Sequence, residues 1–77
     1  MTIHIPISDL HPKIAKLYLE HKIQDLGIDY MPNSITGWYS GEEIEVFNFN
    51  KVCKLDNRWS GYELYQNSTE IIISIVY

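Results

Sequence analysis

Isoleucines that alternate with other residues near both ends of the chain restrict its fold more than any other feature. They recur at every second position, at Ile3, Ile5 and Ile7 and again at Ile71, Ile73 and Ile75. A period of two predicts β-strands, because successive side chains of a strand point to opposite faces of its sheet. Ile72 and Val76 make the other face of the last segment apolar too, which is typical of an interior strand covered on both sides.

One helix is predicted after the first strand. The run from Lys13 to Leu26 contains neither glycine nor proline. Pro12 suits the first helical position with His11 as its cap, and Gly27 is placed to end the helix. Apolar residues occupy more than half of the helix circumference, which is wider than one sheet face normally buries. Either loops of the same chain or a second molecule would cover the additional apolar flank.

Two hairpins are predicted in the rest of the chain. Ile35–Tyr39 and Glu43–Phe49 flank the turn Ser40-Gly41, and Tyr62–Gln66 and Glu70–Tyr77 flank Asn67-Ser68-Thr69. The apolar alternation changes phase within the second of these strands, so we expect a bulge near Val46 and Phe47 or burial of both faces. The expected fold class is α+β, as a single domain over residues 1–77. One N-terminal helix packs on a mostly antiparallel four- to five-stranded sheet, in the order β-α-β-β-(β)-β-β.

Composition and motifs exclude several classes of function. The single cysteine, Cys53, permits neither an internal disulfide nor a multi-thiolate zinc site. The chain has no phosphate-binding loop, dinucleotide fingerprint or nucleophile elbow, so we expect no cofactor, no metal and no enzymatic activity. Ten acidic against six basic residues disfavour direct binding to duplex DNA. The sequence has no bilayer-spanning apolar run and no signal-peptide pattern, so the expected location is the cytoplasm, away from membranes.

Two residues with reactive side chains are interpreted as structural. His21 lies one turn before Asp25 on the predicted helix, so a structural pair of these two is favoured over a metal ligand or a general base. Lys51 and Lys54 flank Cys53 and would lower its pKa. No histidine is identified as a partner for this thiol, so an inert strand cysteine is favoured over a nucleophile.

The net charge of −4 lies entirely in residues 26–50. This segment has four acidic residues and no lysine or arginine, whereas acids and bases cancel in residues 1–25 and 51–77. The same segment is rich in aromatic side chains, which anchor protein interfaces while charges steer a partner of opposite sign. The predicted partner-binding residues are Asp29, Tyr30, Trp38, Tyr39, Glu42, Glu43 and Glu45. The alternative is a solvated hairpin with Trp38 in the core.

These observations favour a small non-enzymatic binding protein. The first hypothesis is a stoichiometric inhibitor, of the immunity or phage anti-defence type, that covers a basic surface of a nuclease or a nucleic-acid-binding protein. The alternative is a homo-oligomeric structural or scaffolding protein, whose homodimer contact consists of the helix residues Ala15, Leu19 and Ile23. Two further classes are an enzyme or metal protein, and a nucleic-acid binder that uses the basic and aromatic residues Lys51, Lys54, Arg58 and Trp59.

Overall fold

The computed structural model of the protein describes residues 1–55 and 58–77. Its elements are β1 (Thr2–Pro6), a 3-10 turn (Ile7–Asp9), α1 (Pro12–Leu19), β2 (Gln24–Asp29), β3 (Ser34–Tyr39), β4 (Glu42–Asn48), β5 (Gly61–Gln66) and β6 (Glu70–Val76). The strands form two three-stranded antiparallel sheets, sheet A in the order β1-β6-β5 and sheet B in the order β2-β3-β4. The α+β class with one helix is confirmed for the described residues. The expected single sheet of four to five strands is wrong, because the strands divide between two sheets.

The helix begins as predicted and ends earlier than predicted. His11 is the N-cap, and its Nδ1 atom accepts a hydrogen bond from the Lys13 backbone N–H at 3.2 Å. The helix ends at Leu19 instead of Leu26, because His21 adopts a left-handed backbone conformation with φ 59°. The early end leaves residues 24–29 free to form β2, of which the sequence pattern assigned residues 24–26 to the helix and the rest to its end and the following turn.

Two backbone hydrogen bonds close the end of the helix. The His21 N–H donates to the carbonyl of Tyr18 at 3.0 Å, and the Lys22 N–H donates to the carbonyl of Leu17 at 2.9 Å. This pair of bonds is a Schellman motif, whose left-handed position is usually occupied by glycine. A histidine in that position gives no sequence signal for the end of a helix, so the helix was predicted to continue to Gly27.

Both predicted hairpins are confirmed. Ser40 and Gly41 join β3 to β4 with φ values of 54° and 81°, the pair of left-handed residues that a type I′ turn requires. Asn67 begins the turn between β5 and β6. Its Oδ1 atom accepts hydrogen bonds from the backbone N–H groups of Thr69 and Glu70, at 2.8 and 2.9 Å.

The predicted bulge in β4 is also confirmed. Phe47 pairs with Ile35 and Glu45 pairs with Thr36, so Val46 between them has no partner on β3. The extra residue shifts the alternation of β4 by one position at this point. The adjacent side chains of Val46 and Phe47 therefore both contact the core, whereas an unbroken alternation would direct one of them outward.

One hydrophobic core joins the helix to both sheets. Its buried side chains come from α1, from strands of each sheet and from the segments that follow β1 and β4, namely Ile3, Ile5, Ile7, Leu10, Tyr18, Ile35, Val46, Phe49, Leu55, Ile71, Ile73 and Ile75. On the other face of β6, Ile72 is half-buried and Val76 is exposed. The expectation that β6 is covered on both sides is therefore wrong, and the outer face of sheet A is open.

Candidate protein-binding surface

The outer face of sheet B carries an exposed tryptophan beside carboxylates. Trp38 of β3 pairs with Glu43 of β4 on one side and with Gln24 of β2 on the other, and Thr36 pairs with Glu45. Paired residues, and residues two apart on one strand, point to the same face of a sheet. The Trp38 side chain is 46% exposed, and Gln24, Glu43 and Glu45 are also exposed. We call these five residues the acidic face.

The acidic face points outward because the opposite face of β3 packs against the core. Ile35 is fully buried, and a Cβ atom at Gly37 would lie only 2.6 Å from Ile23 Cγ2 and 2.9 Å from Leu26 Cδ2. With Ile35 and Gly37 directed inward, the alternation of the strand sends Trp38 outward. The alternative that Trp38 lies in the core is therefore wrong.

The strands of sheet B place no lysine or arginine beside the carboxylates of the acidic face. The strands of sheet B contain the acids Asp25, Asp29, Glu42, Glu43 and Glu45 and no lysine or arginine. The ion pairs found among the described residues join His4 to Glu70 and Lys22 to Glu20, so they do not involve the acidic face. Two like charges about 7 Å apart on one strand face create a negative potential that attracts cations.

Tyr39 and Glu42 lie next to the acidic face, at the tip of the same hairpin. They form the last pair of β3 and β4 before the turn at Ser40-Gly41, and both are exposed. The alternation places them on the face opposite to Trp38. The structure therefore brings five of the seven predicted binding residues to one hairpin, three of them on its outer face and these two at its tip.

Asp29 and Tyr30 lie at the other end of sheet B. Asp29 pairs with Ser34, four residues before Trp38, so about 13 Å along β3 separates this end of the sheet from Trp38. The Oδ1 atom of Asp29 accepts a hydrogen bond from the Met31 backbone N–H at 3.1 Å, so this carboxylate stabilises the turn before β3. The ring of Tyr30 packs edge-on against Trp59, with the centroids 5.8 Å apart. The structure thus does not bring these two predicted residues together with Trp38.

Two residues of the acidic face, Gln24 and Thr36, were not predicted from the sequence. Gln24 was assigned to the helix, and nothing in the sequence marked the helix end that places it beside Trp38. Thr36 precedes Trp38 by two positions on the predicted strand, so the alternation alone was sufficient to identify it.

The predicted pair of His21 and Asp25 is wrong. The two residues do not share a helix, since His21 follows its end and Asp25 lies in a bulge of β2 with φ 56°. Both side chains are exposed. Cys53 lies in the loop after β4 rather than in a strand, and burial raises the pKa of its thiol. A raised pKa disfavours the thiolate, which supports the interpretation of Cys53 as inert.

The helix residues predicted for a homodimer divide between core and surface. Ala15 and Ile23 are half-buried and pack against the core, whereas Leu19 is 49% exposed. Leu19 borders a groove of about 360 Å³ between the end of α1 and the turn from β5 to β6. Much of the wide apolar flank of the helix is therefore covered by the chain itself.

Three further findings concern metal binding, nucleic-acid binding and membrane crossing. Within residues 1–55 and 58–77, no group of three or more His, Cys, Asp or Glu side chains is arranged to hold a metal ion. The ring of Trp59, which the nucleic-acid hypothesis needs for stacking on bases, packs between Tyr30 and Tyr62. In the same part of the chain, no helix has the length and apolar character needed to cross a membrane.

Comparisons with protein-family models, with curated proteins and with solved structures found no match to this chain. The acidic face combines an exposed aromatic ring with two carboxylates that belong to none of the ion pairs found among the described residues.

Proposed function

We propose that this protein is a small non-enzymatic binding protein that covers a basic surface of a partner protein with its acidic face. The observation that carries this proposal is the position of Trp38, half-exposed and directly beside Glu43 in a sheet whose strands contain no lysine or arginine. Tryptophan is enriched among the residues that dominate binding energy at protein interfaces. Burial of this ring against a partner supplies apolar area, and the carboxylates select a partner with positive charge.

The chemistry of the acidic face favours a partner surface rich in arginine or lysine. A guanidinium group can stack on the ring of Trp38 while it pairs with the carboxylate of Glu43. Nucleases and other nucleic-acid-binding proteins present such surfaces to phosphates. A protein that covers this kind of surface competes with nucleic acid, which makes it a stoichiometric inhibitor of the immunity or anti-defence type. The cytoplasmic location expected from the sequence is part of the proposal.

Affinity capture from cells with charge variants tests this function. We expect the wild-type protein to retain a basic partner, and Glu43→Lys combined with Glu45→Lys to lose it. Trp38→Ala should also lose the partner, because the anchor is removed while the charges remain. The matched control is Asp9→Lys combined with Glu20→Lys, at two exposed positions outside sheet B. Each of these four substitutions to lysine changes the charge by +2, so both double variants have a formal charge of zero.

Only one pattern of capture agrees with the proposal. The partner must bind the wild-type protein and the control, fail to bind the two acidic-face variants, and dissociate more readily as the salt concentration rises. Equal capture by all four proteins would show that the acidic face is not the binding surface. The absence of any stoichiometric partner in the wild-type sample would contradict the binding function itself.

A further inference from the structure

The free edges of the two sheets differ in how well they exclude another strand. β1 ends in Pro6, which has no N–H to donate, and β2 and β4 are bulged near Asp25 and at Val46. Proline and bulges are devices by which proteins protect edge strands from pairing with other chains. β5 has neither device, and its six residues pair with β6 in an unbroken register.

Three peptide groups of β5 face this unprotected edge. The Asn67 N–H donates to the carbonyl of Glu70 at 3.1 Å, which fixes the alternation of hydrogen bonds along the hairpin. By this alternation, the backbone N–H and C=O groups of Tyr62, Leu64 and Gln66 point away from β6. No backbone group among the described residues pairs with these three. The edge therefore offers alternating donors and acceptors to an added strand.

We propose that β5 pairs with β5 of a second copy of this chain, antiparallel about a two-fold axis at Leu64. In this register Leu64 lies opposite its own counterpart, and Tyr62 lies opposite Gln66 of the second copy. Every outward N–H group of one edge then meets a carbonyl of the other. The two copies of sheet A become one continuous antiparallel sheet. This interface involves neither the acidic face nor the helix flank, and it does not depend on the proposed function.

Side chains on the outer face of sheet A select the same register. The register with Leu64 on the two-fold axis places Glu63 opposite Tyr65 of the second copy. The two-fold symmetry means that this pair occurs twice in the interface. The two groups are complementary, since within one strand the Tyr65 hydroxyl already donates to Glu63 Oε2 at 2.5 Å. Sliding the strands by two residues in one direction would place Glu63 opposite Glu63, a like-charge pair that destabilises sheets. Sliding them in the other direction would leave the Tyr62 peptide group unpaired.

Two substitutions of Tyr65 test the interface and its register. The side chain is 55% exposed on the outer face, so neither Tyr65→Lys nor Tyr65→Glu disturbs the core. By analytical ultracentrifugation we expect the wild-type protein to dimerise as its concentration rises from micromolar to millimolar. Tyr65→Lys should retain the dimer, because the lysine lies opposite Glu63. Tyr65→Glu should dimerise about tenfold more weakly than Tyr65→Lys, because it creates two like-charge pairs.

A backbone variant checks the edge without changing a side chain. In a chemically synthesised chain, N-methylation of Leu64 blocks the edge of β5 and removes no hydrogen bond to β6. N-methylation of His4, whose N–H faces the free edge of β1, is the matched control. We expect only the Leu64 variant to be monomeric while circular dichroism shows both to be folded. A wild-type monomer at every concentration, a folded Leu64 variant that still dimerises, or equal dimerisation by the two Tyr65 variants would overturn the proposal.

Discussion

Replacing Gly37 with alanine tests how closely β3 packs against the start of β2. The new Cβ atom would lie 2.6 Å from Ile23 Cγ2 and 2.9 Å from Leu26 Cδ2. Carbon atoms in favourable contact are about 3.5–4.0 Å apart, so both neighbours must move by roughly 1 Å. Overpacking of this kind costs about 1–3 kcal/mol, and the better strand propensity of alanine offsets less than about 1 kcal/mol. We expect Gly37→Ala to lower the free energy of unfolding by about 2 kcal/mol.

Thermal and urea unfolding followed by circular dichroism measure this loss. A change of 1 kcal/mol shifts the Tm of a domain of this size by about 4–8 °C, so the expected fall is about 8–16 °C. Gly61→Ala is the matched control. Gly61 also lies in a strand, but a Cβ atom there would have no neighbour within 4 Å. The free energy of unfolding of the Gly61→Ala variant should stay within about 0.5 kcal/mol of the wild-type value.

A second substitution identifies the cause of the loss. Ile23→Ala removes the Cγ2 atom that meets the new methyl group, so the double variant with Gly37→Ala should be less destabilised than the sum of the single variants. Additive losses would mean that Ile23 is not the obstructing side chain. Wild-type stability of Gly37→Ala would refute the packing of β3 against Ile23 and Leu26.

Three further substitutions have defined outcomes. Asn33→Ala deletes three hydrogen bonds to the loop after β4 and leaves the buried Leu55 N–H without its acceptor. Urea unfolding should therefore show that the free energy of unfolding falls by about 3 kcal/mol. A fall of less than about 1 kcal/mol would contradict this role of Asn33. His21→Gly should raise the free energy of unfolding by about 1 kcal/mol, because glycine adopts the left-handed backbone conformation without strain. A lower free energy of unfolding would show that the histidine side chain is needed at this position. Burial raises the pKa of the Tyr18 hydroxyl above the ordinary value for tyrosine, so the unfolded chain loses this proton first and stability falls as the pH rises above about 10. Tyr18→Phe should weaken this alkaline dependence, measured as the free energy of unfolding against pH, and an unchanged slope would exclude Tyr18 as its source.

The sequence predicted the elements whose signals are local. Alternating isoleucines marked β1 and β6, Ser40-Gly41 marked the turn between β3 and β4, and Pro12 after His11 marked the start of the helix. The end of the helix had no such signal, because His21 occupies the position where glycine is usual. Because the end of the helix at His21 was not predicted, β2 was not predicted either. Without β2, the division of the strands between two sheets could not be predicted.

The composition of the candidate surface was easier to predict than its arrangement. The excess of acid in residues 26–50 follows from the sequence, whereas the exposure of Trp38 stayed open until the structure showed Ile35 and Gly37 on the inner side of β3. The separation of Tyr30 from Trp38 depends on which end of β3 each residue occupies. The place of Gln24 beside Trp38 depends on the pairing of β2 with β3. Strand pairing is a tertiary property, which hydrophobic alternation within one strand does not determine.

The emission of Trp38 during titration with the captured partner tests the central claim most directly. Trp59→Phe leaves Trp38 as the single tryptophan and retains an aromatic ring between Tyr30 and Tyr62. Because Trp38 is half-exposed in the free protein, its burial by the partner should shift the emission maximum to shorter wavelength and saturate at one partner per chain. A partner that binds at this stoichiometry without changing the emission of Trp38 would contradict the assignment of the acidic face as the binding surface.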